Sequence, residues 1–134
     1  MSQNSLRVLV ADDDRDVVFG LLMLLRLWGY DGVATYDGPG ALDAAAAGPH
    51  DVVFLDIGLP GLDGFEVARR LRQLPGMAKA LLIAITGYGQ AADVKRCKEV
   101  GIDCHFLKPV DPVELRQVLA KAQRLGREQC RLAC

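Results

Sequence analysis

Five short β-rich runs, each followed by a stretch with helical periodicity, divide this chain along its length: Leu6–Val10, Asp31–Tyr36, Val52–Leu55, Ala80–Ile85 and Cys104–Leu107. Most carry aliphatic residues at consecutive rather than alternate positions, as strands buried on both faces do. Between the runs, apolar residues recur at intervals of three and four. Val17, Leu21, Leu24, Leu25 and Trp28 do so in the first helical stretch, and Leu115, Val118, Leu119, Ala122 and Leu125 in the last. Gly29, Gly48-Pro49, Pro75-Gly76 and Gly101 close helices, while Asp111 and Pro112 open the last one. Alternation of this kind predicts a doubly wound α/β fold, a five-stranded parallel sheet with helices on both faces. A chain of 134 residues holds one such domain. It is expected over residues 6–125, with a disordered N-terminal tail at 1–5 and a C-terminal tail at 126–134.

Charge and hydropathy narrow the function. The net charge is −1 and no long Lys/Arg run occurs, so no nucleic-acid partner is expected. The longest apolar stretch, Val17 to Trp28, is interrupted by Arg26 and falls short of the roughly 20 residues of a membrane span. Residues 1–5 lack an apolar signal region, and a cytoplasmic protein with no membrane partner is expected. Cys97, Cys104, Cys130 and Cys134 follow no zinc-ligand spacing and read as reduced thiols.

In parallel α/β sheets, reactive groups gather beyond the carboxyl ends of the strands. Here those ends carry Asp12-Asp13, Asp56, Thr86 and Lys108. Each has an ordinary reading alone. Aspartates after strands cap helices, as Asp14 and Asp63 are read here, a threonine ends many strands, and a lysine is usually a solvated charge. Their convergence changes the reading. Three neighbouring carboxylates repel one another unless a cation neutralises them. With no His or thiolate among them they favour a hard ion, Mg²⁺ or Mn²⁺. Lys108 and the Thr86 hydroxyl suit phosphoryl oxygens. A carboxylate nucleophile, a metal and a lysine are the parts phosphoryl transfer needs.

The run Val8-Leu9-Val10-Ala11-Asp12-Asp13-Asp14 resembles the acidic opening of response-regulator receiver domains. Asp56-Ile57-Gly58-Leu59-Pro60-Gly61-Leu62-Asp63-Gly64 is similar to that family's phosphorylation-site motif. Ile85-Thr86-Gly87-Tyr88 and Phe106-Leu107-Lys108-Pro109 resemble its switch-hydroxyl and lysine segments, and the match runs from Leu6 to Leu125. The resemblance implies a flavodoxin-like fold and two-component signalling. Asp56 would take a phosphoryl group from a histidine kinase or histidine phosphotransfer protein. Asp12, Asp13, Asp56 and the backbone carbonyl of Gly58 would hold the metal, and Lys108 would bind the phosphoryl group. Thr86 would bind it too, and by moving would report it to the surface. The Lys108–Pro109 peptide is predicted to be cis.

Two positions depart from the family's commonest pattern. His105 stands where Tyr or Phe is usual, and is read either as a switch residue or as a plain surface residue. Tyr88 is read either as an exposed loop aromatic or as a lid over the phosphoryl group. A stand-alone regulator and a receiver from a hybrid sensor histidine kinase both fit. The alternative function is a small phosphohydrolase with Asp56 as nucleophile, though Gly58 occupies the place of its general acid.

On the first helix, Val17, Leu21, Leu25 and Trp28 share one stripe, expected to face the sheet. Phe19, Met23 and Leu27 form a second stripe turned away from it, with Leu22 beside it. Leu27 is expected to tuck under the last helix. Phe19, Leu22 and Met23 are expected to dock the phosphodonor, as the resemblance implies for this helix. The oligomeric state is left open.

Overall fold

Parallel neighbours need crossovers, and helices supply them. The computed structural model describes residues 6–59, 62–87 and 94–133, with residues 94 and 126–133 described by backbone alone. The elements are β1 (Arg7–Ala11), α1 (Arg15–Leu27), β2 (Asp31–Thr35), α2 (Gly38–Ala47), β3 (Val52–Asp56), α3 (Gly64–Gln73), β4 (Leu81–Thr86), α4 (Val94–Glu99), β5 (Cys104–Leu107) and α5 (Pro112–Ala133). The sheet order is β2-β1-β3-β4-β5, with every pairing parallel. Every residue of β3 and β4 is buried, as their apolar runs, ending in Asp56 and Thr86, lead one to expect.

Side chains alternate across the sheet and so build two cores. Leu9, Val53, Leu55 and Leu82 face α2, α3 and α4, whereas Val8, Val10, Phe54 and Ile83 face α1 and α5. Aspartate side chains start four helices. Asp14 accepts from the amides of Asp16 and Val17, Asp37 from Gly40, Asp63 from Phe65 and Asp111 from Val113. Gly29 and Gly101 leave α1 and α4 at φ of 87° and 92°, backbone that a β-carbon would strain.

Several expectations shift. The α1 face against the sheet is Val18, Leu21 and Leu25, with Val17 and Trp28 only half-buried. The face is turned by less than one residue, since Leu21 and Leu25 stay at its centre and Val17 and Trp28 still pack against that core. Leu27 does not tuck under α5; it is 78% exposed. Leu125, placed on the apolar stripe of α5, is also exposed, and the helix runs on to Ala133. Cys97 is buried, and Cys104 is disulfide-bonded, which corrects the expectation of reduced thiols throughout. Among the described residues no helix is long and apolar enough to cross a membrane.

A charge holds the far edge of the sheet together. The Arg72 guanidinium, on α3, donates to the carbonyls of Met77 (3.1 Å), Ala78 (3.2 Å), Ala80 (2.6 Å) and Gly101 (2.7 and 3.0 Å). It also donates to Asp103 Oδ2 at 2.8 Å, which accepts the Leu82 amide as well. One side chain therefore clamps α3, the approach to β4 and the turn before β5.

His50 is buried just before β3, and among the described residues neither ring nitrogen has a hydrogen-bond partner of good geometry. Burial, then the nearby charge of Arg7, lower its pKa, opposed by the Gly48 backbone and the charge of Asp51. The unfolded chain therefore binds this proton at a higher pH than the folded one. Stability is fully present above about pH 6.5 and is lost as pH falls through that value toward the folded pKa. Asp12, whose pKa is raised, acts in the opposite sense above its ordinary carboxyl range. Thermal melts from about pH 7 to 5.5 are expected to fall in the wild type and to fall less in His50→Leu. Equal slopes would show that His50 is not the acid-sensitive group.

Candidate functional site

Parallel register brings the chemistry to one edge. Ala11 pairs with both Thr35 and Leu55, Asp56 with Ile85, and Thr86 with Leu107. Asp12, Asp56, Thr86 and Lys108 thus leave four adjacent strands at the same level. The Lys108 amide donates to the Thr86 carbonyl at 2.9 Å, which anchors the lysine as the chain turns away. The Lys108–Pro109 peptide is cis, as predicted.

Asp12 is 1% exposed, Asp56 is buried and Asp13 is exposed. The three each present an oxygen within 4.8 Å of the others. Asp12 Oδ1 accepts the Asp14 amide at 3.0 Å, and Asp56 Oδ1 accepts the Gly58 amide at 3.0 Å. Lys108 Nζ lies 3.0 Å from Asp12 Oδ2 and donates to Asp56 Oδ2 over a longer 3.4 Å. The buried Asp12 Oδ2 forms an ion pair with Lys108, yet no donor is aligned to it as a hydrogen bond. An oxygen left short in this way, within an all-carboxylate set, fits a hard divalent ion.

Burial raises the Asp12 pKa, with the Asp56 charge adding to the rise against the Asp14 amide and Lys108. Burial alone would lower the pKa of Lys108, but Asp12 and Asp56 outweigh it and the ammonium is held above its usual range. Both directions describe one pocket, in which a single lysine does not cancel the carboxylates.

The loop after Asp56 is held from beneath. A β-carbon on Gly64 would lie 2.6 Å from the Ile57 backbone, so only glycine lets α3 start this close to the end of β3. The Arg96 guanidinium of α4 lies 4.2 Å above the Phe65 ring and 3.1 Å from Asp63, bracing the same segment. Gly58 faces open space beyond Asp56. Thr86 is buried at the end of β4. His105 is exposed on β5, in register with Ala84. Tyr88 lies outside the described residues. Phe19 and Met23 are 66% and 57% exposed on α1, and Leu22 is half-buried.

The family model of the response regulator receiver domain matches residues 8–120. The chain is a member of that family. Among the receiver domain's curated relatives, the virulence sensor protein BvgS of Bordetella bronchiseptica is 35% identical over 125 residues, covering 90% of this chain and 10% of BvgS. The DNA-binding response regulator MtrA of Mycobacterium tuberculosis is 38% identical over 119 residues, covering 88% of this chain and 51% of MtrA. The receiver domain therefore spans about a tenth of the one and half of the other. A CheY-like receiver from Methanospirillum hungatei shares the fold with a TM-score of 0.85 at 22% identity, covering 93% of this chain and 98% of that one. The receiver domain of sensor histidine kinase PA1611 from Pseudomonas aeruginosa has a TM-score of 0.81 at 25% identity, covering 90% and 98%. That structure holds a magnesium ion in its active-site cleft. The receiver domain described here thus belongs to two-component signalling.

Nothing in residue spacing marks three features of the structure. The Arg72 clamp depends on carbonyls from distant segments, and the burial of His50 depends on a turn. Arg15 lies 4.0 Å over the Tyr36 ring. Its sequence neighbours, all aspartates, point instead to an ion pair.

Proposed function

We propose that Asp56 accepts a phosphoryl group from a phosphohistidine donor, with Asp12, Asp13, Asp56 and the Gly58 carbonyl holding Mg²⁺ or Mn²⁺. The observation that carries this reading is the pair of buried carboxylates, Asp12 and Asp56, joined by half-buried Lys108, whose Nζ lies 3.0 and 3.4 Å from them. When bound, the ion would supply the positive charge that lets an anionic phosphoryl group approach a carboxylate. Lys108 is placed to take a phosphoryl oxygen once it releases Asp56. An Asp56 oxygen then attacks phosphorus in line, and the phosphorus bond to the donor nitrogen breaks. Thr86, at the end of the next strand, would donate its hydroxyl to the product. The same module would sit in the cytoplasm, as a separate regulator or within a hybrid kinase.

Acetyl phosphate with Mg²⁺ is expected to add one phosphoryl group by intact mass. Reduction with borohydride should then convert residue 56 to homoserine. Excess EDTA should prevent both changes. A label on another residue, or none in Mg²⁺, would refute the reading.

The donor surface belongs to this proposal. Phe19, Met23 and Leu22 line an apolar hollow of about 520 Å³ on α1. A second cleft of about 580 Å³ between α1 and the β5–α5 loop shares Gly20 and Leu24 with it and reaches Lys108. A donor helix lying along both would bring its histidine to Asp56, and an exposed Phe and Met form an adaptable contact. The Phe19→Ala/Met23→Ala protein is expected to keep its acetyl phosphate rate and to lose at least about tenfold in rate from its protein donor, a change of about 1.4 kcal/mol. Equal rates from the protein donor would exclude the patch.

A further inference from the structure

Arg15 follows three aspartates and precedes a fourth, yet among the described residues it forms an ion pair with none of them. Its guanidinium lies instead over Tyr36, 4.0 Å from the ring centroid. Tyr36 is the first residue beyond β2, and the carbonyl of Thr35 before it accepts the Asp12 amide at 3.1 Å. The stack therefore flanks the Asp12–Asp13 loop on the β2 side, while Lys108 enters from the β5 side.

Holding a cation by a ring face has a chemical consequence. A carboxylate partner would occupy the guanidinium's N–H groups and cancel its charge, whereas a ring holds the side chain in place and leaves its donor edges open. The pocket needs such a charge. Three carboxylates face one lysine, so a bound divalent ion brings the sum only to neutrality, and a phosphodonor arrives with further negative charge.

We infer that Arg15, held on Tyr36, is a positioning residue that draws the anionic phosphoryl group of a small phosphodonor into the pocket. The inference rests on the phosphoacceptor reading of Asp56. With acetyl phosphate, an Asp56 oxygen forms the new bond to phosphorus. The bond from phosphorus to the acetyl oxygen breaks, and acetate leaves with that electron pair. Arg15 takes no part in bond making; it raises the local concentration of the dianion.

The test compares wild type, Arg15→Gln, Arg15→Lys and Tyr36→Leu at saturating Mg²⁺, measuring phosphorylation by intact mass against acetyl phosphate concentration. Ionic strengths of about 0.01 M and 1 M bracket Debye lengths of about 30 Å and 3 Å. At the lower one, Arg15→Gln is expected to raise the half-saturating donor concentration about three- to tenfold with little change in maximal rate. Arg15→Lys should recover most of the loss and Tyr36→Leu should fall between. At the higher one, the four should converge. Removing a cation beside carboxylates strengthens metal binding, so a slower rate does not arise from lost metal. An unchanged half-saturating concentration at low ionic strength would overturn the inference, as would a deficit that persists at high ionic strength. Asp56→Asn, run alongside, separates the two ideas. If it is still labelled, or if wild type is not, the phosphoacceptor reading itself fails.

Discussion

The Asp56→Asn protein is expected to take no measurable phosphoryl group from acetyl phosphate or from a phosphohistidine donor. The amide is nearly the same size as the carboxylate but is uncharged and a poor nucleophile, so the geometry survives while the attacking group is lost. Stability should move the other way. Asp56 is one of the charges that raise the Asp12 pKa, and Lys108 alone does not balance the pocket. Removing one of three crowded carboxylates therefore relieves repulsion, and without metal the variant is expected to melt at the wild-type temperature or above it. Adding Mg²⁺ should raise the melting temperature of wild type more than that of the variant, since an ion that binds only the folded state stabilises in proportion to its affinity. Intact mass with and without EDTA measures the first effect, and thermal melts with a Mg²⁺ titration measure the second. Labelling of Asp56→Asn at the wild-type level would show that the acceptor lies elsewhere.

Arg72→Ala is expected to be the most damaging single truncation for stability. Its guanidinium holds four backbone carbonyls and Asp103, whose side chain is 2% exposed. Alanine would leave that carboxylate buried with no counter-charge from Arg72, a loss of about 3–5 kcal/mol for a broken buried pair. The whole folding free energy of such a domain is about 5–15 kcal/mol. Arg72→Lys keeps the charge but not the planar fork that reaches several carbonyls at once, and should also be costly. Arg69→Ala is the matched control, because its partner Glu66 lies on an exposed helix face where solvent screens the pair and little stability depends on it. Urea titrations should show a large drop in midpoint for Arg72→Ala and almost none for Arg69→Ala. Similar midpoints for the two would remove the clamp from the account of stability.

These two predictions differ in how far sequence leads to them. Asp12, Asp56, Thr86 and Lys108 were legible because a parallel sheet fixes where strand ends lie, so four polar residues closing aliphatic runs had to meet. Caps at Asp14, Asp63 and Asp111 were legible because their bonds are local. The choice of Val18 over Val17 was not, since α1 is apolar nearly all round and only the packed sheet selects the rotation. Leu27 and Leu125 were misjudged for the same reason: periodicity names a face but not what covers it. Arg72 gave no signal, because its acceptors are carbonyls that every residue carries. Arg15 was not singled out either, because its partner is a ring that the fold brings near from the end of β2.

The four strands that deliver Asp12, Asp56, Thr86 and Lys108 have a consequence for the reliability of the signal. No short segment of this chain contains a working acceptor. A misfolded, clipped or half-assembled copy can carry Asp56 and still lack its partners, because each comes from a separate stretch of sequence. On the proposed acceptor role, phosphate on Asp56 would double as a certificate of integrity, and damaged copies would stay silent rather than send a false message.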